Sequence, residues 1–167
     1  MHDTWKLLQY FGSNDLFKES KQHYIERQKK CFSHLSEEVL LQFFREHSKD
    51  KTTIKLYGHL DFNKLQFKKI QLSIPEILNL KIYSEYAIID KNNDYIIQLY
   101  NWNNMGTWKI APLIMPNKYC INSNLYRGNG EYILIEGHTR LGVLRELCFN
   151  NCKFLNQKHD VWILDDL

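Results

Sequence analysis

The sequence has 167 residues and a formal net charge of +3, and 44% of its residues are hydrophobic and 14% aromatic. These values predict a globular chain that buries a core, most simply as a single domain over residues 1–167, and they argue against a disordered protein. So mild a positive charge neither requires nor excludes a polyanionic partner, because nucleic-acid-binding domains usually carry a larger and clustered excess.

Targeting and redox signals indicate a cytoplasmic protein with no membrane partner. The first residues lack the basic-then-apolar pattern of a signal peptide, and no stretch reaches the apolar length of a membrane span. The four cysteines form no CxxC motif and no zinc-finger spacing, so we expect reduced, mostly packed thiols. These cysteines are Cys31, Cys120, Cys148 and Cys152.

The first hundred residues are predicted to be mainly helical. Residues 14–32 alternate apolar and basic side chains at helical spacing, and residues 36–47 have a clearer apolar face. Residues 52–72 suggest short strands or irregular structure. Direct DNA binding through the basic helix 14–32 is the weakest functional hypothesis, because Glu19 and Glu26 interrupt its positive surface.

A capping box marks the next helix. Ser73 is followed three residues later by Glu76, with a proline in between, so a helix is expected to begin here. The apolar residues of 83–100 fit a helical hairpin that is broken at DKNND, residues 90–94, and a β-hairpin across the same break is the alternative.

From residue 101 the pattern changes to strands around one helix. Residues 111–116 predict a short buried strand, and residues 117–131 form a loop that ends in the turn sequence RGNGE. Residues 131–136 predict a strand, 138–149 a helix and 159–164 a closing strand. The fold class is therefore α+β: a mainly helical region, residues 1–100, precedes a small mixed-sheet core, residues 101–167.

The sequence EGHTR, residues 136–140, joins the predicted strand to the helix. Gly137 allows a sharp turn, and the free N–H groups of the helix start favour an anion, most often phosphate. Arg140 could grip that phosphate with two N–H groups, and Thr139 could donate to it or cap the helix. Glu136 is the candidate Mg²⁺ ligand, and Glu136 and His138 are the candidate catalytic residues. A purely structural turn, in which Glu136 pairs with Arg140, is the alternative.

The C-terminal pattern as a whole resembles the ParB/sulfiredoxin-like superfamily. The resemblance rests on APLIMP, then GEYILIEGHTRLGVLREL, then HDVWIL, and covers about residues 108–165. It implies the superfamily's small mixed-sheet core and a GxxR-type turn that binds nucleotide phosphates. The closest local match is a free-serine kinase branch, in which an acidic residue precedes GHTR.

The resemblance implies roles for this turn. Gly137, Thr139 and Arg140 would hold the phosphates of ATP or another nucleotide, and Glu136 and His138 would face Mg²⁺ or the transferred group. Sulfinic-acid repair is not implied, because His138 occupies the position of the sulfiredoxin cysteine. Chromosome partition is not implied either, because Gly142 stands where ParB proteins have a second arginine.

Two tryptophans precede this core. Trp102 and Trp108, in a stretch with several asparagines, could stack on a nucleotide base or close over the turn. The alternative is a tryptophan-anchored linker that packs the N-terminal helices onto the core. In the loop before the next strand, Tyr126 and Arg127 could also reach a ligand.

Two classes of function follow. The first is a nucleotide-binding protein. If it is an enzyme, it would be a Mg²⁺-dependent phosphotransferase or nucleotide hydrolase. The second is a non-catalytic module that keeps the phosphate turn: a nucleotide sensor, or a protein-binding domain such as a microbial or phage immunity or anti-defence protein. Fold alone does not choose between them.

Overall fold

The computed structural model of the chain describes residues 1–12, 18–86 and 93–167. Its α-helices are α1 Asp3–Leu8, α2 Lys21–Cys31, α3 Glu37–Val39, α4 Lys51–Tyr57, α5 Ile74–Leu78, α6 Asn93–Met105 and α7 His138–Phe149. Its strands are β1 Leu65–Ser73, β2 Ile82–Tyr83, β3 Leu113–Pro116, β4 Tyr126–Arg127, β5 Tyr132–Glu136 and β6 Lys158–Asp166. The π-helical segment Leu40–Arg45 continues α3 directly.

The predicted α+β class is confirmed. Four strands form one sheet in the order β1-β6-β3-β5, and β2 and β4 form a separate two-stranded ribbon. The larger sheet is mixed, because β3 pairs antiparallel with β5 and parallel with β6. The pairs Leu113↔Glu136 and Leu113↔Trp162 fix the register on the two sides of β3.

The chain divides into two compact units. The first contains residues 1–68 and 164–167, and the second contains residues 69–163. The boundary expected between residues 100 and 101 falls inside α6, so the residues on both sides of it belong to the second unit.

The first unit has an aromatic core. The Trp5 ring lies 5.6 Å from that of Phe44, and the Phe44 ring lies 4.8 Å from that of Phe62, both at steep angles. The indole N–H of Trp5 donates to the carbonyl of Ser48, so this buried polar group is satisfied. The helix predicted over residues 36–47 supplies Phe44 and is confirmed, with a π-helical middle that the sequence did not indicate.

Two predictions in the first unit need correction. The helix expected over residues 14–32 begins at Lys21, because Ser20 caps it and accepts the His23 N–H; residues 14–17 lie outside the described residues. Residues 51–57 are helical and not strand, because the Asp50 carboxylate caps that segment by accepting the Thr53 N–H at 2.8 Å. The strand signal of residues 52–72 is correct only from Leu65 onward.

The segment after the capping box follows the prediction in part. The Glu76 carboxylate accepts the Ser73 N–H at 2.7 Å, and α5 begins as expected. The second arm of the predicted helical hairpin is α6. The prediction of a helical first arm is wrong for its described residues, since Tyr83 belongs to β2 and a 3₁₀ turn follows over Ser84–Tyr86. Most of the DKNND break lies outside the described residues.

The second unit contains the strands and helix predicted after residue 101. The strands β3, β5 and β6 and the helix α7 confirm the expected elements, and Ile114, Leu134, Leu144 and Val161 pack in one buried cluster with α6. Within residues 1–12, 18–86 and 93–167, no helix is both long and apolar enough to cross a bilayer.

Candidate functional site

The polar turn of residues 136–140 lies where β5 ends and α7 begins. Glu136 is the last residue of β5 and pairs with Leu113 at the start of β3. Gly137 has φ +109° and ψ 25°, a left-handed conformation that side chains disfavour, and it stands at the N-cap position of α7. The predicted strand–glycine–helix joint is therefore present.

Gly137 is also required by close packing. A Cβ atom at this position would lie 2.6 Å from Cβ of Pro112 and 3.0 Å from Nε of Arg140. The neighbouring chain and the Arg140 side chain thus fill the space beside the turn, so conformation and packing both select glycine here.

Arg140 stabilises the joint between β5 and α7 through its side chain. Its side chain turns back over Gly137 and is buried, with 8% of it exposed. The guanidinium donates to the Ile110 carbonyl at 3.1 Å and to Oε1 of Glu136 at 3.3 Å. The pairing of Glu136 with Arg140, which belongs to the alternative of a structural turn, is observed, and the bond to Ile110 ties the helix start to the segment before β3.

Thr139 offers donors at the same joint. The N-cap residue supplies no side-chain hydrogen bond to the first turn of α7, and the N–H groups of a first helical turn have no intrahelical acceptor. Neither the hydroxyl nor the main-chain N–H of Thr139 bonds to any residue that the structure describes. Thr139 and His138 are both half-buried, and His138 Nε2 is a buried atom.

The charges of the joint suit an incoming anion. The Glu136 carboxylate would repel a phosphate, but the Arg140 guanidinium beside it neutralises that charge. What remains is the positive end of the α7 dipole with the Thr139 donors. This arrangement could accept an anion mainly through main-chain donors.

The possible metal ligands at the joint are consistent with one kind of Mg²⁺ site. In the part of the chain that the structure describes, no group of three or more histidine, cysteine, aspartate or glutamate side chains is arranged to hold a metal ion. Glu136 is one carboxylate, and Mg²⁺ is commonly held by one or two carboxylates together with the phosphates of a substrate. The residues thus fit a Mg²⁺ ion that arrives with a nucleotide, not an all-protein metal site.

Trp102 and Trp108 lie in the core of the second unit. Their rings are buried and meet edge-to-face at 5.3 Å, and each also packs against His159, at 5.1 Å and 5.2 Å. The Trp108 N–H donates to the carbonyl of Asp160 at 2.7 Å. The observed role of both rings is core packing, and a base-stacking role for them stays a prediction.

The sequence analysis did not identify two residues that contact the candidate site residues. The Ile110 carbonyl lies 30 positions before Arg140, so no local spacing signals their hydrogen bond. His159 is 1% exposed and completes the tryptophan cluster, with Nδ1 at 2.9 Å from the Thr107 hydroxyl. The sequence did offer a signal for the burial of His159: it begins the apolar, strand-like run HDVWIL, and a histidine in such a run is usually a core residue.

Comparison with known proteins adds no relative. No protein-family model, no curated protein and no solved structure matches the chain.

Proposed function

We propose that this chain binds a nucleotide, with its phosphates at the first turn of α7. The observation that carries the proposal is the Gly137 turn, whose left-handed conformation directs the start of α7 away from β5 with the Thr139 donors unused by the described residues. Phosphate is the usual anion at such a helix start. The resemblance of residues 108–165 to the ParB/sulfiredoxin-like superfamily supports the same ligand.

Arg140 has a positioning role in this proposal. Its guanidinium is already bonded to Glu136 and to the Ile110 carbonyl, so it holds the turn in shape and neutralises the carboxylate. The direct phosphate donors are then Thr139 and the main chain of residues 138–140. This differs from the role that the superfamily resemblance implies, in which the arginine itself grips phosphate.

Glu136 and His138 are the residues through which binding would become catalysis. Glu136 would contact a Mg²⁺ ion bound with the nucleotide, and that ion would supply neutralisation of the phosphate charge. His138 would hold or move a proton near neutral pH. A Mg²⁺-dependent phosphotransferase or hydrolase is the enzyme form of the proposal.

A non-catalytic nucleotide-binding module is the second candidate. The observation that favours it is the ion pair of Glu136 with the buried Arg140, which engages the carboxylate that a metal or a proton would need. A protein partner would then bind selectively to the nucleotide-bound form of this chain.

Calorimetric titration with ATP, ADP, CTP and GTP, each with Mg²⁺, tests the binding proposal. Thr139→Val removes the hydroxyl and keeps the shape, and we expect it to weaken binding by about tenfold, since a hydrogen bond to a charged group contributes roughly 1.5–3 kcal/mol. The matched control is Thr52→Val. Thr52 is also the second residue of a helix, is also half-buried, and also bonds to none of the described residues.

The outcomes separate the hypotheses. If the folded wild type binds none of the four nucleotides, the proposal is wrong and the turn is structural. If both threonine variants bind as tightly as the wild type, the Thr139 hydroxyl does not contact the phosphate. If Thr52→Val weakens binding as much as Thr139→Val, the loss does not locate the phosphate at α7. Phosphate release that is lost in Glu136→Gln while binding is retained identifies a hydrolase. Binding without release excludes hydrolysis and leaves the module or a phosphotransferase that needs an acceptor.

A further inference from the structure

A second candidate binding site lies at the other end of β5. The turn of residues 127–130 precedes β5 and Gly137 follows it, so the strand separates the two sites. Beside this turn is a pocket of about 350 Å³, within the range of small-molecule sites. It is lined by Leu78, Asn79, Leu80, Ile82, Arg127, Gly128 and Arg145.

The turn is held in place by close backbone packing. In the β2–β4 ribbon Arg127 pairs with Ile82, and both residues line the pocket. A Cβ atom on Gly130 would lie 2.1 Å from the Asn79 carbonyl oxygen, and one on Gly128 would lie 3.3 Å from the Leu80 carbonyl oxygen. The glycines therefore let the turn sit directly on the chain that leaves α5, which builds the pocket wall.

Two arginines, Arg127 and Arg145, line this pocket. Arg127, in the turn, is exposed and donates to the carbonyl of Ser84, which fixes its position. Arg145, on α7, is half-buried and makes no hydrogen bond or ion pair with any residue that the structure describes. The carboxylate next to it in sequence, Glu146, accepts a hydrogen bond from the Tyr95 hydroxyl and so is engaged elsewhere.

A half-buried guanidinium that bonds to none of the described residues is unfavourable, because part of its hydration is lost and none of those residues replaces it. Burial accordingly lowers the pKa of Arg145 below its ordinary value. None of the seven residues that line this pocket, all of them within the described part of the chain, is acidic. An anionic ligand would supply the missing acceptor.

We propose that this pocket binds a small organic anion, whose carboxylate or phosphate group lies between Arg127 and Arg145. Paired guanidinium groups match the oxygen geometry of both anions. Leu78, Leu80 and Ile82 provide the apolar wall for the rest of the ligand. This inference does not depend on nucleotide binding at the start of α7.

The test is a titration of the full chain followed by ¹H–¹⁵N spectra, with benzoate, phenyl phosphate and neutral benzamide as probes at constant ionic strength. We expect saturable shifts of the amide signals of Leu80, Gly128 and Arg145 with at least one anion, at a Kd on the order of 1 mM. Benzamide should give none. The tighter of the two anions identifies the preferred head group.

Variants assign the contacts. Arg145→Gln and Arg127→Gln should each weaken anion binding by at least about tenfold, whereas Lys158→Gln, a control that removes an exposed charge lining a different cavity, should not. Arg127 is exposed, so its variant remains informative if Arg145→Gln fails to fold. No saturable shift at these amides, equal binding of benzamide, or an equal loss in Lys158→Gln would each overturn the proposal.

Discussion

At the scale of single residues, Gly137 shows how one position serves the backbone and the packing together. Its φ of +109° already disfavours any side chain, and Pro112 occupies the place where a Cβ would be. The same residue is the N-cap of α7, next to the N–H groups to which we assign phosphate binding. A substitution here should therefore affect stability and the proposed site at once.

Gly137→Ala should lower the free energy of unfolding by roughly 2–4 kcal/mol, because left-handed strain of about 1–3 kcal/mol adds to the overlap with Pro112. Urea denaturation followed by circular dichroism measures the change. Gly12→Ala is the matched control, since Gly12 has nearly the same φ, +108°, and is exposed. Equal losses in the two variants would mean that strain alone, and not packing against Pro112, selects glycine at position 137.

At the scale of elements, β6 meets α6 through the buried His159. Burial lowers the pKa of His159, although the Asn156 carbonyl and the Asp160 carboxylate act in the opposite direction. Burial therefore favours the neutral ring in the folded state, whereas the ordinary pKa near 6.5 applies after unfolding. The unfolded chain therefore binds a proton first as the pH falls.

His159 should make the protein less stable in mild acid. The stabilisation is present above the unfolded-state pKa of about 6.5 and is lost progressively as the pH falls toward the lowered folded-state value. His159→Phe should flatten the dependence of unfolding free energy on pH between about pH 7.5 and pH 5. The control is His23→Gln, at an exposed position on α2. An unchanged profile in His159→Phe would assign the acid sensitivity to other groups.

The elements also show what could be predicted from sequence. The capping box at Ser73, the apolar run of β5 and the periodicity of α7 are local signals, and each marked its element. Residues 51–57 were missed because apolar residues from 54 to 62 alternate like those of a strand, whereas the Asp50 cap favours a helix. Local patterns identify elements well where a cap and a periodicity agree.

Only the part of the candidate site whose residues are neighbours in the sequence could be predicted. Glu136, Gly137, Thr139 and Arg140 are adjacent in sequence, so their meeting was foreseeable, as was the alternative ion pair. The contact of Arg140 with Ile110 and the pocket between Arg127 and Arg145 depend on how distant segments pack. No spacing in the sequence encodes such pairs.

At the scale of the whole molecule, the thiols report on folding and redox state. Cys31 is exposed, whereas Cys148 is half-buried and its thiol pKa is raised, mainly by burial and further by Cys152. Because the thiolate is the reactive species, Cys31 should react with a disulfide reagent at least about tenfold faster than Cys148 at the same pH.

A thiol titration of the native and urea-unfolded chain measures this difference. All four cysteines are free, so unfolding should give four reactive thiols without any reductant. Cys31→Ser should remove the fast phase and leave the slow one unchanged. Fewer than four thiols in the unfolded chain would contradict the all-reduced state.

The strand order has a consequence for how the protein is made. β6 is the last of the described strands, yet it lies between β1 and β3, and the Gln66–Asp166 hydrogen bond spans 100 positions. During translation β1 and β3 leave the ribosome before their common neighbour exists, and each keeps an unpaired edge that can join another chain. Productive folding of the sheet must wait for β6, so a chaperone that covers those two edges during synthesis would raise the yield without altering the finished structure.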